Sequence, residues 1–231
     1  MTMLNIENLN VFYGESHVLH DLSFDVAAGE TIAVMGRNGM GKTTLLKALI
    51  GMLPARSGNI RLAGRELAGR KSYQRVAAGL AFVPQGRMIF PYLTVEENIL
   101  SGMEKMRRAS VPDYIYDSFP VLAEMRARRG GNLSGGQQQQ LAIARAMVSE
   151  PRVLILDEPT EGIQPSIIKE MARGLNRLKK ERGFALVVSE QVLSFTMEIA
   201  DRFLIIEKGR FVDSALRDSV DADRIMRYLT I

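Results

Sequence analysis

Three stretches in the first third of the chain, "NIENLNVFY", "HVLHDLSFDV" and "NIRLAGREL" at 59–67, alternate polar and apolar residues at period two. Such alternation predicts strands with one face buried and one in water, joined by turns at Tyr13-Gly14, Ala28-Gly29 and Ser57-Gly58. "TIAVMG" at 31–36 is instead apolar throughout, the pattern of a strand covered on both faces. It runs through a glycine-rich corner into "KTTLLKALIGML", whose Leu45, Leu46, Leu49 and Ile50 recur at helical spacing.

Residues 86 to about 135 change character: Pro91, Pro112 and Pro120 interrupt short helical pieces such as "TVEENILSGMEKM", and no convincing strand appears. From Ser134 onward, "QQQQLAIARAMV", "RVLILDE", "PSIIKEMARGLNRLKKE", "FALVVSE", "VLSFTMEIA" and "RFLIIEKG" alternate amphipathic helix with apolar strand. That order predicts right-handed crossovers and a parallel sheet, so the fold class is α/β. The division expected is one domain over 1–231, with a core and β-subdomain formed by 1–85 and 136–231 and a helical subdomain at about 86–135. After the last strand pair, near 202–213, only the helix-like "DADRIMRYL" remains, which leaves no room for an appended regulatory domain.

Composition narrows the function. The 231 residues, 46% hydrophobic and 24% charged, suit one substantial core. No apolar run is long enough to span a membrane, and "MTMLNIENLN" lacks the pattern of a signal peptide, so a cytoplasmic location is expected. Zero cysteines exclude disulfides, thiolate nucleophiles and Cys-based metal sites, and His17 and His20 are the only histidines. The net charge of +4 is spread out; its densest groups, "RARR" at 126–129 and "GRKSYQR" at 69–75, read as solvated faces, and no nucleic-acid partner is expected.

The corner itself, "GRNGMGKTT" at 36–44, fits the phosphate-binding loop Gly-x4-Gly-Lys-Thr in its required setting between a buried strand and a helix. The glycines let backbone N–H groups turn inward around phosphate oxygens, and the helix directs its positive end at them. Lys42 supplies a mobile positive charge and Thr43 a hydroxyl for magnesium. Gly36, Asn38, Gly39, Gly41, Lys42, Thr43 and Thr44 are the nucleotide-binding candidates here. "VLILDE" ends an apolar strand in two carboxylates at the edge where open α/β sheets bind ligands. Asp157 is placed to hold magnesium, and Glu158 to polarise the attacking water. In "LSGGQ" at 133–137, Ser134 and Gln137 form a capping-box pattern. Gly135 and Gly136 weaken a first helical turn, and are expected where something such as a phosphate approaches the backbone closely.

These motifs, in this order, resemble the ATP-binding subunits of ABC transporters over nearly the whole chain. "GRNGMGKT" looks like their Walker A, "VLILDE" their Walker B and "LSGGQ" their signature. The resemblance implies a P-loop ATPase with a mostly parallel core sheet, an N-terminal antiparallel β-subdomain and a helical insert. It implies ATP and Mg2+ as cofactors, Tyr13 of "VFYG" as the aromatic on adenine, and Gln85 of "FVPQG" as the glutamine that approaches magnesium. It also implies that Ser134, Gly135, Gly136 and Gln137 of one subunit complete the ATP site of a second ATPase subunit in a head-to-tail dimer. Two membrane permeases and a periplasmic or extracellular solute-binding protein complete the assembly, on the inner face of the membrane. Met88, Phe90 and Tyr92 are either contacts for the permease or core of the subdomain.

Two positions depart from that pattern. Gln191 in "VVSEQVLSF" stands where most members have a histidine, and Gln164 in "TEGIQPS" where many have aspartate. An amide can donate to phosphate but cannot shuttle a proton, so hydrolysis is expected to depend on Glu158 without an imidazole. Both departures resemble the branch that takes up branched-chain amino acids and urea, and "GGNLSGGQQQQLAIARA" and "LDEPTEGIQPSII" most resemble the urea-uptake subunit. The expected function is therefore ATP hydrolysis driving import of urea or a related small solute. The alternatives are branched-chain amino acid import, a soluble ABC ATPase acting on nucleic acid or ribosomes, and a regulator that hydrolyses ATP poorly.

Overall fold

The computed structural model describes residues 1–103 and 110–230. The first half of the chain forms β1 (Thr2–Tyr13), β2 (Ser16–Ala27), β3 (Thr31–Met35), α1 (Lys42–Ile50), β4 (Ala55–Leu62), β5 (Arg65–Glu66), α2 (Ser72–Ala78), β6 (Leu80–Val83) and α3 (Val95–Leu100). The second half adds α4 (Asp113–Ser118), α5 (Pro120–Glu124), α6 (Gly135–Met147), β7 (Val153–Asp157), α7 (Pro165–Arg182), β8 (Ala185–Glu190), α8 (Leu193–Ile199), β9 (Arg202–Glu207), β10 (Arg210–Leu216) and α9 (Ala222–Leu229).

Two sheets result. One is antiparallel, in the order β2-β1-β4-β5; the other runs β10-β9-β3-β8-β7-β6, parallel except for β10. The apolar runs of β3, β7 and β8 are explained by two cores. Ile32, Val34, Ile155 and Val187 face α1 and the antiparallel sheet. Their neighbours Ala33, Met35, Leu154, Leu156 and Val188 face the other way, onto α6, α7, α8 and the short helices α3 to α5. Alternate residues of one strand thus enter different cores, and the polar side chains of these strands, Thr31, Asp157, Ser189 and Glu190, fall at strand ends.

The strand alternation in β1 holds only in halves: Leu4 and Ile6 are buried, then Leu9 and Val11. A bulge between them flips the parity, with Asn8 at φ 50° and its amide bonded to Ser23 Oγ. The turn expected at Ser57-Gly58 lies inside β4, where Gly58 packs against the backbone of Asn8 and Leu9. The chain reverses instead at Ala63-Gly64, which splits "NIRLAGREL" between β4 and β5.

Three further differences emerge. First, α2 and β6 fall where no element was expected, and β6 forms the parallel sheet's edge beside β7. Second, Arg75 in "GRKSYQR" is buried rather than solvated. Its guanidinium donates to the carbonyls of Ala48, Leu49 and Arg70, capping the C-terminal end of α1. Third, the helix expected over "TVEENILSGMEKM" stops at Leu100 and continues as a 3-10 turn over Ser101–Met103; residues 104–106 lie outside the described residues. Among the described residues, no helix is long and apolar enough to cross a membrane.

Candidate functional site

Four adjacent strands of the parallel sheet, β3, β8, β7 and β6, end at the same edge, and the segments that follow them supply the site. After β3 the loop 36–41 curls beneath α1. Gly36 passes so close to the Ile206 backbone that no side chain fits. Gly39 and Gly41 have φ of 78° and 109°, conformations that L side chains rarely adopt, and a Cβ on Gly41 would lie 2.8 Å from Leu19 Cδ2. No side chain caps the first turn of α1, so its N–H groups stand ready for an external acceptor.

The side chains converge on that turn. Lys42, 4% exposed, donates from Nζ to the carbonyls of Gly36 (2.7 Å) and Arg37 (3.2 Å), and pairs with Glu158 Oε1 at 3.1 Å. Thr43 Oγ1 donates to Asp157 Oδ1 at 3.1 Å. Glu158 has φ 45°, unusual for a side chain of its size, and its amide is held by both the carbonyl and the hydroxyl of Ser189. Gln191 Nε2 bridges Asn38 Oδ1 (2.7 Å) and Glu158 Oε1 (3.3 Å), and Gln85 Nε2 donates to Glu161 Oε2 (2.9 Å) and Glu158 Oε2 (3.4 Å). Asn38, Gly39, Gly41, Lys42, Thr43, Thr44, Gln85 and Glu158 line one cavity of about 310 Å³.

Burial pushes the Asp157 carboxyl above its ordinary range; the hydroxyls of Ser189 and Thr43 pull it back part of the way, and Glu158 adds to the rise. The donor set of hydroxyl, carboxylate and amide oxygen is the hard-oxygen chemistry that magnesium requires, with most ligands left for phosphate and water. An uncapped helix start, a buried lysine and an oxygen-only acidic edge thus fit a magnesium-bound triphosphate.

Not every expected residue joins this cavity. Tyr13 sits 49% exposed at the tip of the β1–β2 hairpin, whereas Val18 is the hairpin residue that lines the cavity. Ser134, Gly135, Gly136 and Gln137 do not line it either. Ser134 is exposed and, with Gln137, forms the expected capping box on α6 (Gln137 N to Ser134 Oγ, 3.3 Å; Ser134 N to Gln137 Oε1, 2.9 Å). Within the chain each glycine also has a close neighbour of its own. A Cβ on Gly136 would collide with Ile167 of α7, while one on Gly135 would lie 3.1 Å from the Arg87 guanidinium, which donates to the Glu161 carbonyl. Met88, Phe90 and Tyr92 are exposed, which rules out the reading of these three as subdomain core.

Two residues that the sequence reading did not single out complete the arrangement. Ser189, fully buried opposite Asp157 in the β7–β8 register, donates to Asp157 Oδ1 at 2.6 Å. Glu190, also buried, accepts from the backbone and hydroxyl of Thr160 and from the amides of Gln191 and Val192, and burial raises its carboxyl pKa. Both lie at the end of "FALVVSE", where a serine and a glutamate break an otherwise apolar strand; that break was the available signal.

Comparison with known proteins agrees with this geometry. A family described as "ABC transporter" matches residues 19–161. The chain is 40% identical over 213 residues to the high-affinity branched-chain amino acid transport ATP-binding protein BraG of Pseudomonas aeruginosa, covering 91% of each chain. It is 35% identical over 211 residues to the probable branched-chain amino acid transport ATP-binding protein LivF of Archaeoglobus fulgidus, covering 90% of this chain and 89% of that one. Among solved structures, it superposes with a TM-score of 0.81 on a dimeric ATP-binding cassette in a post-hydrolysis state bound to ADP and Pi, at 23% identity, covering 93% of this chain and 99% of that one. The chain belongs to the ABC transporter family, as one of its ATP-hydrolysing, ATP-binding subunits.

Proposed function

We propose that this chain powers the import of branched-chain amino acids, working on the inner face of a membrane as one of two paired ATPase subunits beneath two permeases fed by a periplasmic binding protein. The observation that carries this reading is the 40% identity, over nine-tenths of both chains, to a relative named for that transport. The pairing is supported by the incomplete site: the cavity around Lys42 has its own P-loop and acidic edge, while Ser134 lies exposed outside it.

Magnesium-bound ATP supplies the phosphoanhydride whose hydrolysis releases free energy. Lys42 would neutralise phosphate charge, and Thr43 and Asp157 would hold the metal with Gln85 beside them. Glu158 takes the proton of the attacking water at Oε2, the oxygen not paired with Lys42. Gln191 keeps that carboxylate oriented without adding a titratable group. Met88, Phe90 and Tyr92, exposed beside a cavity that Phe90 and Arg145 line, form the permease contact.

The resemblance of "GGNLSGGQQQQLAIARA" and "LDEPTEGIQPSII" to the urea-uptake subunit favours urea as the second reading. Uptake by vesicles containing the chain with its permeases and binding protein separates the two. ATP-dependent accumulation of leucine but not urea is expected. Urea alone would transfer the assignment, and uptake of neither would reject both.

A further inference from the structure

A second cavity, of about 600 Å³, opens between α5, α6 and α7, away from the nucleotide loop. Its floor is apolar, built from Phe119, Val121 and Ile167. Into that floor comes Gln140 of α6, only 2% exposed, whose carboxamide makes no hydrogen bond to any described residue. Its amide atoms open onto the cavity without a partner among the described residues, so a ligand group that donates or accepts there can pair with them in place of water.

The rim carries both signs of charge. Arg177 is engaged, donating to Glu181 Oε1 at 2.9 Å and to the Asp117 carbonyl at 2.9 Å. Glu170 and Arg173, three residues apart on one face of α7, make no ion pair among the described residues. One unpaired anion and one unpaired cation, a helical turn apart above an apolar floor, match a small molecule with a carboxylate and an ammonium close together on an apolar body. The balance of acids and bases argues against a polyanion such as a nucleotide, and the floor against a small polar solute such as urea.

We propose that this cavity is a second ligand site, one that takes an apolar α-amino acid. The carboxylate lies toward Arg173, the ammonium toward Glu170, one of them also meets the Gln140 amide, and the side chain rests on Phe119, Val121 and Ile167. The assignment does not depend on which solute the transporter carries. It matters for the ATPase because α6 starts at the Ser134 cap and α7 follows Gln164, so the ligand touches both helices behind the segments expected to meet a second subunit.

The test uses the isolated chain, L-leucine and L-phenylalanine as probes, and glycine and urea as controls. Thermal unfolding should shift upward by about 3 °C at ten times Kd, with saturable methyl shifts at Val121 and Ile167, and glycine should produce neither. Gln140→Leu and Arg173→Ala should each weaken binding tenfold or more while leaving the stabilisation by ATP unchanged. The absence of saturation up to the solubility limit, an equal response to glycine, or unaltered affinity in both variants would overturn the proposal.

Discussion

Ser189→Ala tests the least obvious part of the site. Its hydroxyl donates to Asp157 Oδ1 at 2.6 Å and accepts from the Glu158 amide at 3.1 Å. After substitution the Glu158 amide keeps the Ser189 carbonyl, also at 3.1 Å, so the loss falls on Asp157, which retains only Thr43. A hydrogen bond to a buried carboxylate contributes about 1.5–3 kcal/mol, against about 1 kcal/mol for a neutral one. The variant should lose about 2 kcal/mol at neutral pH, a fall in Tm of about 4–8 °C for a chain of this size. Burial already holds the Asp157 pKa above its ordinary value, so this group's contribution is present in acid and is lost as pH rises through the folded pKa. Removing Ser189 raises that pKa further. The destabilisation should therefore be smaller at about pH 4, where more of Asp157 is protonated, than at about pH 7.5. Urea unfolding of metal-free, nucleotide-free protein at both pH values measures it. Equal destabilisation at the two, or a larger one in acid, would refute the reasoning.

Four other substitutions probe separate links. Lys42→Ala removes the one buried cation of the cavity and should weaken ATP binding by about 10- to 100-fold in calorimetry; unchanged affinity would contradict the P-loop assignment. Glu158→Gln should lower turnover by about 10²–10⁴-fold while ATP still binds and drives pairing, seen as a faster-sedimenting dimer; an intact ATPase would remove Glu158 from its role. Gln191→His should bring a titration near neutral pH into the turnover profile that the native chain lacks, and superimposable profiles would show that the position does not touch the reaction. Gly136→Ala should cost about 1–3 kcal/mol by collision with Ile167, largely restored by Ile167→Ala; no rescue would mean that the glycine answers to something else.

Much of this was legible because its physics is local. The P-loop announces itself by glycines between an apolar strand and a helix, and Asp157 and Glu158 by carboxylates closing "VLIL". Alternation located β1, β2 and β4, yet it could not show the parity change at Asn8 or the reversal at Ala63-Gly64, which depend on how two strands register. Both α2 and β6 were invisible because β6 has only four residues and its burial comes from β7 beside it. Arg75 read as solvent-facing because charge runs usually are, while its place against the end of α1 is a tertiary fact. Gly136 is similar: spacing suggested a close approach to the backbone, and only the packing of α7 revealed that Ile167 makes one.

Lys42, Gln85, Glu158 and Gln191 follow the ends of four neighbouring strands, so their mutual distances are set by the parallel sheet that joins those strands. Ser134 follows no strand: it begins α6, which packs through Gly136 on α7 and through its apolar face on β6, α3 and α5. The cluster around Lys42 is therefore set by strand ends, whereas Ser134 is placed by a helix lying on the face of the same sheet. If a second copy supplies its Ser134 to this cavity, as the pairing reading requires, then nucleotide joins the sheet of one chain to the helices of another.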